Sequence, residues 1–177
     1  LGDDDVITSV LERCVDLRVL LVIDCCEFSP TATPGRTYAL THLHLGCLFQ
    51  TGVTAAQFSA WIQQAPNLRH YGATYYQDED EGMSLLEAAA GSHLETLDLT
   101  GAPAMPEDFF DPYGEGRELL RQAVRGLPEN LRLAPFGFDE VGELVGEILL
   151  ECSEDCNRED LRIEQPEGRG VGPKLWD

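Results

Sequence analysis

Basic side chains are scarce in this sequence: 12 Lys and Arg stand against 32 Asp and Glu, a formal charge of −20. A chain so charged repels nucleic-acid phosphates and anionic membranes, so neither is an expected partner. A basic protein surface is attracted to it instead. Long apolar runs are missing too, since no window approaches the roughly 18 consecutive apolar residues of a membrane span. Catalytic signatures are also lacking. No Gly-rich phosphate loop follows the first strand-like run, no serine-nucleophile motif occurs, and no glycosidase-like carboxylate pair can be placed. The acidic runs QDEDE (77–81) and SEDCNRED (153–160) lack the alternating oxygen ligands and glycine of an EF-hand loop. The expectation is a protein that is no enzyme and carries no cofactor.

Cysteine is present six times, yet not as a secreted disulfide framework, because the cysteines lie largely inside apolar runs and no signal peptide precedes them. Cys14, Cys25 and Cys47 read as small buried hydrophobes in a reducing compartment, cytoplasmic or nuclear. Cys152 and Cys156 are four apart, a helical spacing, but no second Cys/His pair completes a zinc finger. The chain begins at Leu1 within an amphipathic segment and reads as a piece of a longer protein.

What is present is a repeat. The phrases CVDLRVLLVIDC, TYALTHLHLGCL, APNLRHYGATYY, GSHLETLDLTGA and PENLRLAPFGFD recur, with REDLRIEQ as a degenerate sixth. Each places leucine at the head of a strand-like run, at 17, 40, 68, 94, 131 and 161, giving spacings of 23, 28, 26, 37 and 30. The intervening segments have helical period. Thr54 stands three before Gln57 in a capping-box spacing, and Phe58, Trp61, Ile62 and Ala65 form an apolar stripe ended by Pro66. Met83, Leu86 and Ala90 make a second stripe, Leu120, Ala123, Val124 and Leu127 a third, and Val141, Leu144, Val145, Ile148 and Cys152 a fourth. Val6, Val10 and Cys14 form one at the start, behind acidic residues that suit a helix N-terminus. Strand and helix therefore alternate at near-constant period, which predicts an α/β solenoid over a doubly wound sheet.

The L-x-x-L-x-L frame carried by Leu17, Leu20 and Val22, by Leu40, Leu43 and Leu45, by Leu68, Tyr71 and Ala73, and by Leu94, Leu97 and Leu99 resembles leucine-rich-repeat proteins. The joints LERCVDLRVLLVIDCC and IQQAPNLRHYGA are similar to those of F-box/LRR proteins, over about residues 3–150, although no F-box is visible here. The resemblance implies a leucine-rich-repeat solenoid of about five to six irregular repeats over 1–165, with 166–177 as a flexible tail or cap. Its curved parallel sheet would be concave, its helices convex. It also implies a protein-binding scaffold, and by analogy the substrate-recognition part of a ubiquitin-ligase adaptor.

On that frame, alternate strand residues point to the concave face. They are Val19, Leu21 and Ile23, then His42, His44 and Gly46, then His70, Gly72 and Thr74, then Thr96, Asp98 and Thr100, then Leu133, Pro135 and Gly137. The expected contact surface is Val19, Leu21, Ile23, His42, His44, His70, Thr74, Thr96 and Asp98. Phe109, Phe110 and Tyr113 join it from an acidic insert (103–117) able to grip a basic partner. His42 should neighbour His70, and Asp98 should sit across Gly72 from His44. Two alternatives stand beside protein binding: a metal site at His42, His44, His70 and Asp98, and a structural segment of a larger assembly.

Overall fold

Leucine at the head of each run anchors the fold. Leu40, Leu68, Leu94, Leu131 and Leu161 are all buried in one core, and Leu17 packs against it. The computed structural model describes residues 9–23, 32–46, 54–73, 81–99, 111, 113–134 and 140–164. Residues 9–13 are helical, and six strands follow: β1 (Val19–Ile23), β2 (His42–Gly46), β3 (His70–Ala73), β4 (Thr96–Asp98), β5 (Arg132–Ala134) and β6 (Arg162–Ile163). Between them lie α1 (Ala55–Gln64), α2 (Glu81–Ala89), α3 (Glu115–Gly126) and α4 (Glu140–Asp155). The strands make a single parallel sheet in strict chain order, and each of these helices packs on the next. A doubly wound sheet reverses its strand order at a switch point; the described strands never do. No helix among the described residues is long and apolar enough to cross a membrane.

Local chemistry explains the helices. At α1, Thr54 Oγ1 accepts from the Gln57 N–H at 3.2 Å and Gln57 Oε1 accepts from the Thr54 N–H at 2.8 Å, closing the capping box. Phe58, Trp61 and Ala65 are buried, with the Phe58 ring 4.4 Å from Tyr71 of β3 and Trp61 5.1 Å from Tyr38. Residues 32–40, ahead of β2, are not helical, and turn at Pro34 and Gly35. On α3 the buried stripe is Leu120, Ala123, Val124 and Leu127, as its period predicts.

Four apolar assignments differ. Leu144 is 44% exposed, because the buried stripe of α4 runs through Val145, Ile148, Leu149 and Cys152 instead. Ala90 is exposed in the turn beyond α2, whose inward positions are Leu85, Leu86 and Ala89. Cys14 is exposed just past the first helical turn, where Leu11 takes the core and Val10 is 38% exposed. Val6, Cys25, Cys47 and the side chain of Val141 lie outside the described residues.

The register was expected to be constant and shifts once. In β1 to β4 the leading leucine and the first core strand residue are three apart, as in Leu40 and Leu43 or Leu94 and Leu97. In β5 they are two apart: Leu131 and Leu133 are both fully buried, and Leu133 pairs with Leu97. Asn130, just ahead of Leu131, has φ 60°, in the left-handed region. The hydrogen bonds record the change. Thr41 and His42 both donate to Arg18 O, Arg69 and His70 to Thr41 O, and Glu95 and Thr96 to Arg69 O. Arg132 alone donates to Glu95 O. A one-residue slip turns every side chain over, so Leu133 faces the core and Arg132 and Ala134 take the opposite face. Pro135 and Gly137 lie outside the described residues.

Candidate functional site

The sheet buries Val22, Leu43, Leu45, Tyr71, Ala73, Leu97 and Leu133 against the helices. The alternate residues therefore line the other face. Two columns run across it. The first is Val19, His42, His70, Thr96, Arg132 and Arg162; the second is Leu21, His44, Gly72, Asp98 and Ala134. Every neighbour relation expected between His42 and His70, and among His44, Gly72 and Asp98, is present.

In the first column the His42 and His70 rings stack, with centroids 4.0 Å apart and planes 24° apart. Each ring is also held from the side. Thr41 Oγ1 lies 2.9 Å from His42 Nδ1, and Thr96 Oγ1 lies 2.9 Å from His70 Nδ1. Burial holds the His70 pKa below its ordinary value, and the neighbouring His42 pushes it the same way.

The second column is closed tightly. A Cβ placed on Gly72 would stand 2.5 Å from His44 Nδ1 and 3.2 Å from Asp98 Cβ. The imidazole thus fills the space that any larger residue at 72 would occupy. His44 is only 5% exposed, and Thr96 and Asp98 are buried as well. These three belong to the expected contact surface yet lie buried: the missing side chain at Gly72 lets His44 settle into the sheet. Burial lowers the His44 pKa, and the Asp98 carboxylate opposes that shift.

What remains accessible is the β1 end, together with Arg162 at the β6 end. Val19 is 46% and Leu21 47% exposed, with half-buried His42 and His70 alongside. Tyr113 projects from the segment before α3 and is 97% exposed. Phe109, Phe110, Thr74, Thr100 and the Ile23 side chain lie outside the described residues. The metal alternative is not supported by this geometry. Among the described residues, no group of three or more His, Cys, Asp and Glu side chains is disposed to hold a metal ion. His42 and His70 face each other, while His44 sits with Asp98 in the other column.

Sequence reasoning overlooked two elements. Arg132 reaches the outer face and is bound by Glu164 at 2.7 Å; only the register shift puts it there. Arg158 donates to the carbonyls of Val124, Leu127 and Pro128 while gripping Asp160. It thereby closes the end of α3 against the joint before β5, and no sequence motif announces such a contact. Compared with protein-family models, curated proteins and solved structures, the chain matches none of them.

Proposed function

We propose that this chain is a leucine-rich-repeat solenoid that binds another protein through the sheet face turned away from its helices. The observation that carries the reading is the half-exposed pair Val19 and Leu21, in register with the His42–His70 stack on a regular sheet. Apolar side chains bordered by polar ones suit an interface with a dry centre and a wet rim. The strict strand order and the leucine at the head of each repeat support the solenoid reading. The chain acts by binding and not by catalysis. Its partner presents apolar groups to β1 and basic groups to the surrounding acidic surface, as the charge of −20 favours. The resemblance to F-box/LRR proteins extends the reading to substrate recognition in ubiquitin ligation, in the cytoplasm or nucleus.

Quantitative affinity capture from an extract, using the unchanged chain and Leu21→Asp, tests it. Burying a carboxylate in the apolar centre should remove the specific partners from the Leu21→Asp eluate. An unchanged partner list overturns the reading.

A further inference from the structure

Four of the scarce basic side chains follow the leucine that heads a repeat: Arg18, Arg69, Arg132 and Arg162. The register shift divides them. Arg132 and Arg162 become neighbours on the outer face, where Glu164 matches Arg132. Arg18 and Arg69 stay one residue earlier, just ahead of β1 and β3, with Thr41 on the rung between them. The main chain fixes this arrangement: the Thr41 N–H donates to Arg18 O at 2.7 Å and the Arg69 N–H donates to Thr41 O at 2.9 Å. Adjacent rungs are about 4.8 Å apart, so the two arginine stems stand roughly 10 Å apart. An open notch of about 390 Å³ is lined by Arg18, Ala39, Thr41, Asn67 and Arg69.

We propose that this notch binds a phosphoryl group. Among the described residues no carboxylate lines it, although acidic residues greatly outnumber basic ones in the chain. Arg18 enters no ion pair among the described residues. Arg69 meets Glu95 at 3.7 Å with both side chains substantially exposed, a contact that a stronger anion displaces readily. Two guanidinium forks approaching from rungs on either side match a tetrahedral dianion, which offers oxygens to both. A planar carboxylate is satisfied by one fork. The Thr41 hydroxyl is committed to Arg18 O at 3.0 Å, so it forms the floor, and the exposed Asn67 amide supplies a donor at the rim. The notch is larger than a phosphoryl group, which leaves room for the atoms that carry it.

The test is an NMR titration of the full chain, following the arginine Nε–Hε resonances. Inorganic phosphate, a phosphoserine tripeptide and sodium chloride are added at matched ionic strength. The resonances of Arg18 and Arg69 should shift saturably with either phosphoryl ligand and not with chloride. Tighter binding of the tripeptide assigns the group to a phosphorylated protein, and tighter binding of phosphate assigns it to the free ion. Arg18→Gln and Arg69→Gln should each weaken binding about tenfold or more, since each removes a charge-assisted contact. Arg121→Gln, which loses a contact with Asp155 instead, should bind as the unchanged chain does. Both tested arginines are partly or fully exposed, and a thermal melt of each variant confirms that it folds. The unsubstituted titration decides the matter even if one does not. An equal, non-saturating response to chloride, or undiminished binding by folded Arg18→Gln, overturns the proposal.

Discussion

Gly72→Ala is the smallest change that probes the middle of the sheet face. The new methyl carbon would lie 2.5 Å from His44 Nδ1, about an ångström inside normal contact, and 3.2 Å from Asp98 Cβ. His44 is 5% exposed and cannot absorb the overlap in place, so its ring must turn out of the sheet. Overpacking of this kind costs about 1–3 kcal/mol. Replacing glycine by alanine also narrows the unfolded ensemble, which returns about 0.4–1 kcal/mol. The net expectation is a loss of about 1–2 kcal/mol, read as a lower urea midpoint at unchanged slope. A second readout is independent of stability. Burial lowers the His44 pKa, so a displaced ring should titrate closer to the ordinary histidine value by NMR. In a His44→Ala background only the 3.2 Å approach to Asp98 Cβ remains, and Gly72→Ala should cost much less than in the unchanged chain. An unchanged or raised midpoint in the single variant, with His44 titrating as before, would refute this packing.

Arg158→Ala should be among the most destabilising changes outside the apolar core. It strips hydrogen bonds from the Val124, Leu127 and Pro128 carbonyls and leaves Asp160 without its cation. A loss of about 2–4 kcal/mol in guanidinium unfolding is expected; a loss under about 0.5 kcal/mol would contradict the capping role. The pH dependence has a definite sign. His44 and His70 both have folded pKa values below 6.5, so the unfolded chain binds more protons. Their contribution to stability is complete above that value and is lost as pH falls below it, so urea midpoints should drop between about pH 7 and 5. A midpoint that rises over that range contradicts the burial of the two rings. Asp160 acts lower: Arg158, with help from the Asn130 N–H, holds its carboxyl well below the usual range. Its contribution is therefore lost only as pH falls below about 3.8.

The repeat made much of the architecture readable, because a leucine that must enter a shared core recurs wherever a strand begins. The same frame placed His42 against His70 and Asp98 across Gly72 from His44, since parallel strands in constant register stack equivalent positions. It misplaced Leu133 because register is set at the joint. There the spacing from the leading leucine to the strand's core residue shortens by one, with no change in the leucine count that periodicity reads. The burial of His44 was hidden for a related reason: a glycine in a strand reads as a gap in the pattern, while its consequence falls on a side chain of the preceding strand. Cys14 and Leu144 were misjudged at a helix end and on a helix flank, where one position's rotation exchanges core for solvent. Arg158 joins segments about thirty residues apart, a contact with no local signature.

The claim that the outer sheet face is the contact surface is tested most directly by site-specific photocrosslinking. A photoreactive residue replaces Leu21 on that face or Leu144 on α4, two leucines of similar exposure. The account predicts discrete protein adducts from position 21 and none from position 144. Adducts from position 144 alone, or the same adducts from both, would contradict it.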